Sequence, residues 1–218
     1  LFDSLHSLDI AVRIHRRPNE LPFATPFDQD EEHATYDRGQ AHLLWRGFAT
    51  AHRLLEEFRA PFIGKASPIS FFWGSFDLAV SLYSGRPAPL HPGGAPNCPD
   101  WVQQEAYSRE EVAAGYWPGT SEIGPMFYAY AYPAPSGYET AAIEPAAASF
   151  DRSLGEFVLS WDAARAAPQP DATVQSFLAS TFAAATRHAE WDLGLLQPAH
   201  YPNRRPPRRA WTVVDRSR

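Results

Sequence analysis

Residues 71–83, FFWGSFDLAVSLY, carry the clearest strand pattern in the chain. Apolar side chains alternate with smaller or polar ones, and this period of two predicts a β-strand over residues 71–84. One face is apolar throughout and is predicted to be core: Phe72, Phe76, Leu78, Val80 and Leu82. The other face mixes aromatic rings, hydroxyls and one carboxylate. Trp73 and Asp77 are therefore expected to point together into a pocket or a second packing layer.

The other regular elements follow from the same kind of periodicity. Strands are predicted at residues 112–117, 126–132, 146–150 and 156–161, the last two as a hairpin across DRSLG. Helices are predicted at residues 38–59, with Asp37 as the N-cap, and at residues 171–190. Because the strand connections are too short for crossover helices, we expect an α+β fold. Its sheet should be antiparallel and meander-like, with two long helices on one face and extended proline-rich loops.

The N-terminal stretch LFDSLHSLDIAVRI is predicted to be the end of an amphipathic helix that runs into a strand with Ile10, Val12 and Ile14 on one face. The helix has no N-cap, and for this reason we expect a further segment upstream in the natural protein. Residues 15–36, which are rich in proline and acid, should wrap over the surface.

Length and composition favour a single domain over residues 1–197. The sequence has no apolar run near the roughly 18 residues that cross a bilayer and no signal-peptide pattern, so we expect a soluble protein without a membrane partner. Cys98 is the only cysteine, which rules out an intrachain disulfide and favours a reducing compartment. We therefore predict a cytoplasmic protein.

Residues 198–218 differ sharply in charge from the rest of the chain. Six arginines against one aspartate give this tail a charge of +5, and since the whole chain carries −6, residues 1–197 carry −11. We expect the proline-spaced tail to be disordered. The acidic body disfavours nucleic-acid binding, except weakly through the tail.

The familiar catalytic and metal-binding motifs are not found. GKAS at residues 64–67 lacks the upstream glycine of a phosphate-binding loop, and GTSEIG at residues 119–124 is one residue too long for a nucleophile elbow. No two of the eight histidines are three or four residues apart, so no metal site is predicted. The sequence indicates no particular cofactor and does not decide the oligomeric state.

Two groups of residues are candidates for a ligand site. The first is Trp73, Asp77, Arg86 and His91. An aspartate on a largely apolar strand needs a partner that offsets its desolvation, and Arg86 just past the strand end or Lys65 just before it could supply one. The alternative is an ion pair that only ties the loop to the sheet.

The second group lies in EAYSREEVAAGYWPG, residues 105–119, and includes Tyr107, Glu110 and Trp117. The alternative interpretation of this second group is an edge strand whose acidic side chains are simply solvated. The proline-rich loop GRPAPLHPGGAPNCPDW, residues 85–101, could lie across both groups or could be a rigid surface loop.

Four stretches together resemble a bacterial family catalogued as domain of unknown function 5996, over about residues 10–195. They are FIGKASPISFFWGSFDLAVSLYSGRPAPLHPGG, EAYSREEVAAGYWPG, FYAYAYPAPSGYE and STFAAATRHAEWD. The resemblance implies no activity, cofactor or site. Members are longer at the N-terminus, and they carry cysteine, histidine and histidine where this chain has Ala66, Ser70 and Arg109. Either this chain has lost a chemistry of those three residues, or the residues that match are the functional set.

We therefore expect a sheet and an HPGG loop (residues 91–94) that enclose a small polar or aromatic ligand. The predicted ligand-binding residues are Trp73, Asp77, Arg86, His91, Tyr107, Glu110 and Trp117. In an enzyme, Asp77 or Glu110 would be the general base and His91 the acid. The alternative is a noncatalytic interaction or structural module that docks a partner protein through an exposed row of Tyr128, Tyr130 and Tyr132.

Overall fold

Six antiparallel strands form one sheet in a computed structural model that describes residues 2–197. The strands are β1 (Ser70–Phe72), β2 (Asp77–Pro87), β3 (Arg109–Trp117), β4 (Met126–Tyr132), β5 (Ser149–Asp151) and β6 (Glu156–Ser160). Their order across the sheet is β1-β2-β3-β4-β6-β5, so a three-residue strand forms each edge. The predicted α+β class, the antiparallel pairing and the hairpin of β5 with β6 are confirmed.

Two long helices and several short ones accompany the sheet. The helices are α1 (Phe2–His6), α2 (Arg38–Arg59), α3 (Asp100–Ala106), α4 (Trp161–Ala166), α5 (Pro170–His188) and α6 (Leu193–Leu196), with a 3-10 turn at Tyr138–Thr140. The α2 helix has the predicted bounds, and its N-cap Asp37 accepts a hydrogen bond from the backbone N–H of Gln40 at 2.7 Å. The helices α3, α4 and α6 were not predicted, because each is too short for a helical period to be recognised.

The hydrophobic core lies between one face of the sheet and the helices α2 and α5. Side chains from both layers are 2% exposed or less: Leu54, Leu55, Val80, Val112, Phe127, Leu159, Phe177 and Leu178. Each such burial contributes about 1.5–3 kcal/mol before entropic costs. This packing fixes the sheet from one side and leaves its opposite face to carry polar residues.

The predicted single strand over residues 71–84 is wrong, because the segment is a hairpin. Strand β1 pairs with β2 so that Phe72 lies opposite Asp77, and residues 73–76 form the turn, with Phe76 at a φ of 61°. Phe71 therefore lies opposite Leu78 and packs against the core, whereas Phe72 is 49% exposed and Trp73 is 83% exposed. The Gly-Ser pair inside WGSF is a turn signal that the apolar alternation obscured.

The predicted strand at residues 10–14 is also wrong. No strand lies between residues 7 and 37, and Ile10, Val12 and Ile14 are each about half exposed. Alternation alone does not make a strand when no neighbouring strand supplies hydrogen bonds. The strand predicted at residues 146–150 is shorter and later, at Ser149–Asp151.

The prediction of a disordered tail at residues 198–218 falls outside the described residues. Among residues 2–197, no helix combines the length and the apolar character that crossing a membrane requires.

Candidate functional site

A cavity of about 540 Å³ lies on the face of the sheet that α2 and α5 do not cover. The antiparallel register places Asp77, Trp117, Tyr128 and Glu156 on this face. The cavity is lined by residues of β2, β3, β4 and β6 and of five connecting segments: Glu20, Ser75, Asp77, His91, Tyr107, Trp117, Met126, Tyr128, Tyr130, Ala131, Tyr132, Leu154, Gly155 and Glu156. Six of these fourteen residues have aromatic rings, and three are carboxylic acids.

Asp77 is the most deeply buried acid of the cavity wall, with 6% of its surface exposed. Its carboxylate accepts hydrogen bonds from the Ser75 hydroxyl at 2.5 Å and from the Tyr128 hydroxyl. Both donors are neutral hydroxyl groups. The Trp117 indole N–H donates to the Ser75 carbonyl oxygen at 3.1 Å and so connects the end of β3 with the β1–β2 turn.

Gly115 lets Tyr128 reach Asp77. Tyr128 lies opposite Gly115 in the register, and its ring crosses that residue towards β2. A Cβ atom at position 115 would collide with the Tyr128 ring and with the Leu78 carbonyl oxygen. Burial raises the pKa of Tyr128 well above its usual value, and the negative charge of Asp77 raises it further. Tyr128 therefore remains protonated and acts as a hydrogen-bond donor.

The HPGG loop is attached to the tyrosine row by stacked rings. The His91 ring stacks on Tyr107 with 4.6 Å between centroids, and the Tyr107 hydroxyl bonds the Tyr130 hydroxyl at 2.9 Å. The backbone N–H of Gly93 donates to His91 Nδ1 at 3.0 Å. Since a backbone amide can only donate, Nδ1 carries no proton and the imidazole is neutral in this arrangement. This state does not suit the predicted role of His91 as the acid.

Two further acids of the cavity have raised pKa values. Burial raises the pKa of Glu156 to about 7, with smaller contributions from the charges of Asp77 and Asp151. Partial burial and then the charge of Asp77 raise the pKa of Glu20. Asp77 is therefore close enough to both acids to repel their negative charges.

Glu111 is a buried acid that was not among the predicted site residues. It is 4% exposed, and burial raises its pKa to about 7, against a smaller lowering by the hydroxyls of Ser81 and Tyr83. It lies opposite Tyr83 on one side and Tyr132 on the other, beside the cavity. Adjacent residues of a strand point to opposite faces, so Glu110 and Glu111 cannot both face the cavity side. This alternation could have identified Glu111.

Asp77, His91, Tyr107 and Trp117, four of the predicted site residues, line the cavity. Trp73 lies in the exposed β1–β2 turn and does not share a strand face with Asp77, contrary to the prediction. The binding and catalytic roles of the predicted site residues stay predictions.

Arg86 and Glu110 form a separate ion pair, with 2.7 Å between Nη2 and Oε2. The guanidinium also donates to the carbonyl oxygens of Ala189 and Glu190 at the end of α5. Arg86 is thus not the partner of Asp77, and Glu110 is held away from the cavity.

The tyrosine row is not the exposed surface that the docking alternative requires. Tyr128 is 8% exposed, and Tyr130 and Tyr132 are half-buried in the cavity wall. Ala66, Ser70 and Arg109 do not line the cavity either. Within residues 2–197, no three histidine, cysteine, aspartate or glutamate side chains are grouped so that they could hold a metal ion.

A family model described as a family of unknown function, DUF5996, matches residues 1–198 of the chain. No curated protein and no solved structure matches it. Because the match extends over nearly the whole chain, this protein belongs to the DUF5996 family.

Proposed function

We propose that this protein binds a small molecule in the aromatic cavity on the open face of its sheet. The observation that carries the proposal is the placement of Asp77, which is buried in the cavity wall and, within residues 2–197, has only hydroxyl groups as partners. A volume of about 540 Å³ lies within the range of roughly 300–1,000 Å³ typical of ligand sites.

The electrostatics of Asp77 favour binding over a purely structural role. Burial of an aspartate is costly, and a structural aspartate is usually paired with a cation. Arg86, the partner predicted from the sequence, lies towards the other end of β2 and bonds Glu110 and the end of α5 instead. The carboxylate is thus held in a defined position at the wall of an open space, where it can orient a ligand.

The aromatic walls supply the second element of the site. The rings of Tyr128 and Tyr130 are nearly parallel, with 10° between planes and 6.4 Å between centroids, and Trp117 lines the same cavity. Flat rings held in fixed positions bind flat or apolar ligand groups at a low entropic cost. The ligand should therefore combine a ring or apolar body with a polar group that reaches Asp77.

A thermal-shift screen with water-soluble aromatic metabolites tests the proposal, followed by titration of each compound that binds. The variant Trp117→Ala should lower the affinity roughly tenfold, because it removes one wall of the cavity. The matched control is Trp45→Ala, since Trp45 lies on α2 and is 62% exposed. Equal binding to both variants, or no binding compound at all, would show that the cavity is not a ligand site.

A further inference from the structure

We infer that the ligand of this cavity is an organic cation, with an amine or quaternary ammonium group attached to an aromatic or apolar body. The inference rests on the proposed binding function and adds the chemical class of the ligand. Three features of the cavity support it: the charges of its lining, its hydrogen-bond donors and its ring faces.

The charges that line the cavity are negative. Glu20, Asp77 and Glu156 contribute carboxyl groups, and among residues 2–197 no lysine or arginine lines the cavity. His91 is neutral in this arrangement, because its Nδ1 accepts a hydrogen bond from the backbone N–H of Gly93. A ligand anion would therefore meet repulsion without a compensating cation, whereas a ligand cation would relieve the repulsion between Asp77 and the two glutamates.

Three of the four tyrosine hydroxyl protons at the cavity are already engaged, because only one hydroxyl of the Tyr107–Tyr130 pair can donate to the other. Tyr128 donates to Asp77, the hydroxyls of Tyr107 and Tyr130 bond each other, and Tyr132 donates to the Pro89 carbonyl oxygen. The cavity therefore offers mainly carboxylate acceptors and ring faces. A ligand rich in acceptors, such as a carboxylate or a phosphate, would find few free donors there.

Ring faces also attract cations directly. An ammonium group within about 6 Å of a tyrosine or tryptophan ring centre is attracted by the negative face of the ring. The rings of Tyr128, Tyr130 and Trp117 line the same cavity as Asp77. An organic cation fits this arrangement better than a metal ion, because residues 2–197 contain no group of three side chains suited to bind one.

Three probes with the same phenyl body and different head groups test the charge preference: 2-phenylethylamine, 2-phenylethanol and phenylacetate. Each is titrated at pH 8 and moderate salt against the wild-type chain and Trp117→Ala. We expect the amine to bind at least about tenfold more tightly than the alcohol, and phenylacetate to bind more weakly still. Binding of the amine should weaken in Trp117→Ala and as salt rises.

Glu156→Gln removes one carboxylate from the cavity with little change in shape. It should weaken binding of the amine about fivefold to tenfold and leave binding of the alcohol unchanged. The matched control is Glu139→Gln, in the 3-10 turn and exposed, which should alter neither affinity.

The outcomes separate the two proposals. If the alcohol or phenylacetate binds as tightly as the amine and needs Trp117, the cation inference is wrong and the binding function stands. Equal effects of Glu156→Gln on amine and alcohol would also overturn the inference. If none of the three probes binds and the metabolite screen is also negative, both proposals fail.

Discussion

The Tyr128 hydroxyl on β4 donates a hydrogen bond to the Asp77 carboxylate on β2, across the whole width of the intervening strand β3. The tyrosine ring can make this crossing because Gly115 of β3 has no side chain beneath it. Three consecutive strands thus contribute to one buried polar contact at the wall of the cavity. The stability of the sheet and the shape of the candidate site depend on the same atoms.

Gly115→Ala should destabilise the protein by about 1–3 kcal/mol, because the added methyl group would overlap the Tyr128 ring and the Leu78 carbonyl oxygen. Urea unfolding measures the loss. The control is Gly124→Ala, where the new methyl group would meet open space. If both variants lose the same stability, the close approach at Gly115 has no energetic importance.

Tyr128→Phe should cost about 1–3 kcal/mol in the free energy of unfolding, since the buried Asp77 carboxylate would keep only the Ser75 hydroxyl as a donor. Tyr36→Phe makes the same chemical change on a side chain that is 77% exposed, and should stay within about 0.5 kcal/mol of wild type. Thermal and urea unfolding at pH 7 compare the two. If Tyr128→Phe leaves the free energy of unfolding unchanged, water or another group replaces the hydroxyl.

Glu111→Gln should flatten the dependence of stability on pH. Burial raises the pKa of Glu111 from 4.5 to about 7, so between these values the folded state keeps a proton that the unfolded state loses. Stability therefore falls as pH rises through this window, by about 3 kcal/mol for a shift of this size. The substituted amide does not titrate, so the variant should be about 2 kcal/mol more stable than wild type at pH 8 and similar to it near pH 5.

Urea unfolding at several pH values between 5 and 8 checks this prediction. Some slope should remain in the variant, because the pKa of Glu156 is also raised to about 7. The control is Glu122→Gln at an exposed position, which should keep the wild-type slope. A Glu111→Gln curve parallel to that of wild type would contradict the assigned titration.

Arg86→Ala should destabilise the protein by about 1 kcal/mol, a value discounted because the side chain is 46% exposed. It removes the ion pair with Glu110 and the hydrogen bonds to the carbonyl oxygens of Ala189 and Glu190. Arg165→Ala breaks an exposed pair with Asp162, at 3.1 Å, and should have almost no effect. Urea unfolding should show a larger loss of stability for Arg86→Ala than for Arg165→Ala. Equal losses would contradict the structural role of Arg86.

Long elements with regular periodicity could be predicted from the sequence. The α2 helix and the strand β4 have the predicted bounds, because each has one apolar face over its whole length. The β1–β2 hairpin was missed because aromatic residues on both sides of the Gly-Ser turn continue the alternation. Turn chemistry inside an apolar run competes with the period, and here the turn prevails.

The candidate site could be predicted only in part. Asp77 is notable in the sequence as an acid on an apolar strand, and it lines the cavity. The contact with Tyr128 could not be foreseen, because it depends on the β3–β4 register and on the absence of a side chain at Gly115. The alternation along β3 places Glu111, and not Glu110, on the same face as Trp117, so this part of the site could be predicted from the sequence.

The strand order has a consequence for self-association. Each border of the sheet is a strand of only three residues, β1 or β5, while the long strands β2, β3 and β4 are inside. Another chain that approaches either edge strand finds few free backbone N–H and C=O groups. It can therefore form only a short ladder of β-sheet hydrogen bonds. The polar and aromatic open face can thus be exposed to solvent without the sheet becoming a template for fibril growth.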